Sequence, residues 1–199
     1  MKKSSRTPRP KTPSALPPTW LVGSKVRLRT IEPADVAMLQ RWINSSPALA
    51  WIMPRLPYSE AAEREWAARA SVDSNRPSFV IQTLQGDDIG AAGIVIHGPR
   101  AELGIAIYDD HYWSSGYGTD AVRVLVDGAF RVFPLVRIEL RVYTDNPRAI
   151  RSYEKAGFKR EGVLRSYEWG HGRYRDVVMM SVLHSEWSDR RSKSAGGRR

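Results

Sequence analysis

The period of the hydrophobic pattern changes between Leu103 and Phe130. Leu103-Gly104-Ile105-Ala106-Ile107-Tyr108 is a continuous apolar, β-prone run, whereas Val122, Leu125, Val126, Ala129 and Phe130 recur at the spacing of one helical face. Trp113-Ser114-Ser115-Gly116-Tyr117-Gly118-Thr119-Asp120-Ala121 joins them, so a strand feeds a two-glycine turn and then an amphipathic helix.

Upstream, Val26 to Thr30 alternates like an edge strand. Glu32-Pro33-Ala34-Asp35 then opens a helix through Val36, Leu39, Trp42 and Ile43, which Pro47 ends. Ser59 is placed to cap a helix running through Trp66. The aromatic, proline-rich stretch from Leu49 to Tyr58 before it either walls a pocket or covers the core. Residues 78–84 and 89–96 read as a hairpin around Gln85-Gly86-Asp87-Asp88, and a third strand over 101–108 leads into the glycine turn. Beyond that helix, Val136, Ile138, Leu140 and Val142 alternate with Arg137, Glu139 and Arg141. Asn146 as cap and Pro147 in the first turn open another helix, to Ala156, which stops at Gly157. Strands over 158–165 and 173–183 close the pattern around Gly170-His171-Gly172. This order predicts an α+β fold, with a central, mostly antiparallel mixed sheet of six to seven strands flanked by about four helices.

Composition narrows the chemistry. The 199 residues suffice for one domain with a substantial core, and 42% are hydrophobic. With no cysteine, disulfides, thiolate metal sites and a cysteine nucleophile are excluded. His97, His111, His171 and His184 show no i, i+4 pairing, so no catalytic metal is expected. No apolar run is long enough to span a bilayer and the basic N-terminal stretch does not read as a signal peptide, which together predict a cytoplasmic protein.

The net charge of +10 suggests nucleic acid until it is located. Residues 1–19 and 188–199 hold ten basic residues against one acid, Asp189, so nine of the ten net charges lie in the tails and the domain at 20–187 is nearly neutral. Both tails are rich in Pro, Ser or Gly and poor in apolar residues, which predicts disorder. As polycations they either solubilise the chain or make weak, salt-sensitive contact with RNA or anionic surfaces.

The glycine turn carries the candidate chemistry. Gly116 and Gly118 let backbone N–H groups approach a ligand, and the new helix adds its unpaired donors and positive dipole end, so an anion is the expected guest. A plain strand-to-helix turn also favours glycine. Gly118 is followed by Thr119-Asp120 rather than Lys-Ser, which disfavours a Walker loop, and Ala121 stands where a dinucleotide fingerprint needs its third glycine.

Two motifs at this spacing, Tyr112 to Ala121 and Asn146-Pro147-Arg148-Ala149-Ile150-Arg151-Ser152-Tyr153-Glu154-Lys155-Ala156-Gly157-Phe158, resemble the acyl-CoA loop and following helix of the GNAT superfamily of N-acetyltransferases. The resemblance spans about residues 24 to 185. Gly172-Arg173-Tyr174-Arg175-Asp176 and Arg27-Leu28-Arg29 are similar to the branch containing ribosomal-protein alanine and spermidine N-acetyltransferases, and the 146–158 helix also resembles aminoglycoside 6'-N-acetyltransferases.

The resemblance implies acetyl-CoA as co-substrate and no metal. Amides of Ser114, Ser115, Gly116, Tyr117, Gly118 and Thr119 would hold the CoA diphosphate. The strand backbone at Leu103, Ile105 and Ile107 would pair with the pantetheine arm, and Asn146 would meet it with a polar side chain. Trp113 stands where the family usually has Gln or Arg. Tyr153 matches the family's proton donor to the departing thiolate, and a phenol is protonated at neutral pH. Packing on the core is the other reading of that tyrosine. Glu102 is the candidate base, reaching the acceptor amine through water, or else a solvent-facing strand residue; Asp109 and Asp145 are further candidates in nearby turns.

The expected reaction moves an acetyl group to a primary amine, with a protein N-terminus as the first candidate acceptor. A polyamine or aminoglycoside is the alternative, with Glu60, Glu63, Glu65 and Glu168 available to hold it. A second alternative is a CoA-binding module that docks on RNA or the ribosome through the basic tails. The expected assembly is a monomer or homodimer.

Overall fold

The computed structural model describes residues 21–52, 56–70, 72–170 and 172–188. Seven strands, β1 (Val26–Thr30), β2 (Ser78–Thr83), β3 (Asp88–His97), β4 (Arg100–Ile107), β5 (Arg137–Tyr143), β6 (Lys159–Gly170) and β7 (Arg173–Leu183), form one sheet in the order β1-β2-β3-β4-β5-β7-β6. Every neighbouring pair is antiparallel except β4 and β5. Among the described residues four α-helices accompany it, besides the helical stretch over 184–188: α1 (Val36–Ser45), α2 (Glu60–Ala70), α3 (Tyr117–Val132) and α4 (Pro147–Ala156). This is the α+β architecture expected from the pattern.

Strand alternation sets the layers. Val80 and Ile81 are neighbours on β2 and both fully buried, yet Val80 packs with Val36, Leu39 and Ala67 of α1 and α2, whereas Ile81 joins the main core under α3. Successive side chains of one strand thus enter two cores, one on each face of the sheet. On α3 the apolar stripe of Val122, Leu125, Val126, Ala129 and Phe130 is buried as its spacing requires, each large side chain contributing about 1.5–3 kcal/mol. Ile150 of α4 enters the same core.

Caps act where expected. Asn146 Oδ1 accepts from the Ala149 N–H at 3.1 Å, Ser59 Oγ accepts from the Ala62 N–H at 3.2 Å, and Gly157 ends α4 in the left-handed region at φ 106°.

Three details differ from the pattern. The α2 helix continues past Trp66 to Ala70. Val136, expected to face inward, is exposed because it precedes β5 and spends its N–H on the Pro99 carbonyl, so alternation begins at Ile138. Strand β6 runs to Gly170, past the expected end at 165; it is mostly exposed, and pairing with β7 across two register shifts defines it rather than burial. Residues 1–19 and 189–199, to which disorder was assigned, lie outside the described residues, while Ser188 closes a helical stretch over 184–188.

Candidate active site

The parallel pair β4–β5 is joined only at Arg100↔Arg137, Ala101↔Ile138 and Glu102↔Glu139, after which the two strands separate. β4 continues to Ile107 on β3, and β5 continues to Tyr143 on β7. A gap therefore opens within the sheet, with β4 offering a free edge to it. The Tyr108 N–H donates to the Ile89 carbonyl beside β3, so by alternation the backbone groups of Ile105 and Ile107 face the other way, into the gap. Leu103 lies one residue past the last paired position. One of these groups is already engaged: the Ile107 carbonyl accepts the Trp113 indole N–H at 2.8 Å. Of the three β4 residues expected to meet pantetheine, Ile107 has only its N–H left to offer.

Beyond β4 the chain turns twice through positive φ, at Ser114 (61°) and Gly116 (87°), before α3 begins. The first helical bond is from the Asp120 N–H to the Gly116 carbonyl, and the amides of Ser114 through Thr119 make no hydrogen bond within the chain among the described residues. They form a nest of donors at the positive end of a sixteen-residue helix. Gly116 is needed for its left-handed backbone, which a side chain would strain.

The nest has a support the sequence did not reveal. Asp120 is buried, and its carboxylate accepts from the N–H groups of Ser24, Lys25 and Val26 at 3.2, 2.7 and 3.1 Å and from Ser24 Oγ at 2.9 Å. That clamp ties the start of β1 to the first turn of α3. It also lays Lys25 beside the glycine turn, its ammonium 5.3 Å from the Tyr117 ring centre.

Helix α4 brings the next group. Thr119 Oγ1 and Ser152 Oγ lie 2.7 Å apart, fastening α4 to the start of α3. Tyr153 follows Ser152, packs against the core with its ring 6.1 Å from that of Phe158, and lines the same cavity as Gly118 and Ile105. Burial pushes its phenol up to about 12, so it keeps its proton throughout the neutral range. Asn146 lines the cavity too, with Oδ1 committed to the helix cap.

This cavity, of about 1010 Å³, runs from the nest through the gap to a wall made by Trp51, Ile52 and Tyr58 together with Trp66 of α2. The aromatic stretch thus lines a pocket, although residues 53–55 within it lie outside the described residues. Glu102 sits at the last paired rung and lines the cavity, where Arg141 Nε and Nη2 both donate to its Oε1 at 3.0 and 2.6 Å. The same guanidinium reaches Glu168 at 3.8 Å. Arg141 shows in the sequence only as a polar position of an alternating strand; its part becomes visible once β4, β5 and β6 converge.

The remaining carboxylates separate clearly. Glu63 and Glu168 line the cavity, whereas Glu60 and Glu65 form exposed pairs with Arg64 and Arg69 along α2. Asp145 is held by Arg173 and Arg175 at 3.1 and 2.5 Å, and Asp109 accepts from the His111 N–H at 3.0 Å, so both are engaged in turns.

Comparison with known proteins agrees with this geometry. The family model described as "Acetyltransferase (GNAT) domain" matches residues 25–159. The chain is 30% identical over 172 residues to an uncharacterized N-acetyltransferase, p20, of Bacillus licheniformis, covering 82% of this chain and 94% of that one. It is 28% identical over 174 residues to a spermidine N(1)-acetyltransferase of Vibrio cholerae, covering 85% of this chain and 99% of the relative. A crystal structure of the V. cholerae spermidine N-acetyltransferase in complex with CoA and spermine superposes with a TM-score of 0.76 at 27% identity, covering 83% of this chain and 99% of that one. A strand pair that parts beside a glycine-capped helix, in a chain matched over most of its length, leads to one assignment: this protein belongs to the GNAT acetyltransferase family.

Proposed function

We propose that this protein transfers the acetyl group of acetyl-CoA to a primary amine of a small cationic acceptor of the polyamine kind, in the cavity between the nest at Gly116 and the carboxylates Glu63 and Glu168. The observation that carries the reading is the gap between β4 and β5, which shares one cavity with Ser114, Gly116, Gly118 and Thr119 and their unengaged amides at the start of α3, while Ser115 and Tyr117 do not line it. Those features fit a thioester carrier of this shape: the nest suits a diphosphate, and the outward-facing groups of Leu103, Ile105 and Ile107 suit the amides of an extended arm. Acetyl-CoA supplies a carbonyl open to a neutral amine and a thiolate able to leave.

The chain's own groups do the rest. Backbone N–H groups of β4 facing the gap hold and polarise the carbonyl, and Asn146 borders the arm. Tyr153 gives its proton to the departing sulfur; a buried phenol that stays protonated is a suitable acid. Glu102, whose carboxylate Arg141 fixes at the cavity wall, receives the proton of the amine through water. Orienting two reactants in one cleft supplies much of the acceleration.

The relatives favour a small-molecule acceptor over a protein N-terminus, since the V. cholerae relative acts on spermidine. Two carboxylates in the cavity, Glu63 and Glu168, agree with a cationic guest. Thiol release from acetyl-CoA across a panel of amines tests this: spermidine, spermine and an aminoglycoside are expected to be acetylated faster than peptides beginning with Ala or Ser. Faster turnover of the peptides would restore the protein acceptor.

A further inference from the structure

Arg148, in the first turn of α4, places its guanidinium carbon 3.6 Å from the centre of the Trp113 ring. The stacking partner is immobilised, because the only N–H of that indole is spent on the Ile107 carbonyl. Trp113 therefore has no donor left for a ligand, yet it presents a flat apolar plate beside Ser114, the first residue of the amide nest. Arg148 and Trp113 both line the cavity with Ser114, Gly116, Gly118 and Thr119.

The guanidinium has no ion pair and no hydrogen bond to the chain among the described residues; of the other arginines lining the cavity, Arg69 and Arg141 each hold a carboxylate, Arg76 and Arg151 form no ion pair among the described residues, and of the five Arg148 alone is stacked on Trp113. Burial, with no neighbouring anion to offset it, lowers its pKa from the ordinary arginine value. A half-buried cation with free donors, held flat in the cavity that Ser114, Gly116, Gly118 and Thr119 also line, is arranged for an anion that arrives from outside. Arginine suits the position better than lysine, since its planar fork can stack on one face while its edges bind oxygen.

We infer that Arg148, seated on Trp113, is a phosphate-binding side chain that completes the nest and makes the protein select acyl donors carrying the nucleotide half of CoA. This rests on the acetyl-CoA reading above and deepens it. α3 supplies backbone donors and α4 supplies the charge, so the fastening of the two helices through Thr119 and Ser152 also sets the distance between them.

Calorimetric titration of the full chain with CoA, 3'-dephospho-CoA and pantetheine tests the assignment, using wild type, R148A, R148K and W113L. In R148A, CoA is expected to bind about tenfold more weakly, the cost of one charged hydrogen bond, with pantetheine unaffected. R148K, which keeps the charge without the stacking fork, and W113L, which removes the seat, fall between. An equal loss for CoA and dephospho-CoA assigns the contact to the diphosphate, and a loss confined to CoA assigns it to the 3'-phosphate; either supports the inference. If R148A binds CoA as wild type does, or loses pantetheine equally, Arg148 has only a packing role and the inference falls. If wild type itself ignores CoA, the functional reading falls first, and a normal melting temperature in the same samples separates that outcome from misfolding.

Discussion

At the proposed donor end of the cavity the groups on offer are mostly backbone: outward-facing groups on β4, unengaged amides at the start of α3, and a left-handed turn at Gly116. At the acceptor end the work falls to side chains from α2, β4, β5 and β6, with Glu63, Glu102, Arg141 and Glu168 converging from residues far apart in sequence. A site built mainly from backbone binds a carrier with the right phosphates and amides and tolerates most changes of side chain, Arg148 and its seat Trp113 being the exceptions inferred above. A side-chain site changes its guest when one residue changes. One fold can thus keep its donor and vary its acceptor.

The sharpest way to break that contrast is at the junction of the two ends. Tyr153→Phe is expected to lower turnover by about a hundredfold while leaving CoA affinity within a factor of two, because in the proposed reaction the hydroxyl acts on the leaving group rather than on binding. Saturation kinetics beside calorimetry would show it, and unchanged turnover would remove Tyr153 from the reaction. The pH profile adds a sign. The acid form is the protonated phenol, and a group raised to about 12 keeps it as pH rises, so no loss of turnover from this residue should appear below about pH 10. A wild-type falling limb near pH 8 that Tyr153→Phe abolishes would contradict this.

Next in size is the support of the donor end. Asp120→Asn leaves N–H groups of the 24–26 segment, that of Val26 buried, with a weaker acceptor and should cost about 2–3 kcal/mol of stability, read from the denaturation midpoint. Gly116→Ala should cost about 1 kcal/mol, because alanine pays a steric penalty at φ 87°. A fully stable Gly116→Ala protein would mean that the turn adopts another conformation in solution.

The smallest effect is expected at the acceptor end. Glu168→Gln should raise KM for spermidine several-fold and leave KM for acetyl-CoA unchanged, since Arg141 also holds Glu102 and keeps the wall in place. An equal rise in both KM values would show that the two ends are not separate.

Much of the donor end was legible because its signals are local. Gly116 and Gly118 follow an apolar run and precede a helical stripe, so strand, turn and helix could be read within thirty residues. Asn146, Pro147 and Gly157 bracket α4 by capping chemistry that depends only on neighbours. The Asp120 clamp was not legible, because its partners lie some ninety-five residues away and an acid in the first turn of a helix needs no partner to be favourable. Nor was the Arg148–Trp113 stack, whose members belong to different elements. The exposed half of β6 was missed for a related reason: edge pairing needs no hydrophobic alternation.

The sequence by itself determined the order of strands and helices, the glycine turn, the caps of α4 and the identity of the phenol at position 153, because periodicity, turn chemistry and capping act over a few residues. Tertiary structure alone decided that β4 and β5 part after Glu102, that Arg141 lies between two carboxylates, and that Ile107 gives its carbonyl to Trp113. Those facts concern which elements become neighbours, and sheet order and packing set that rather than any local preference of the chain.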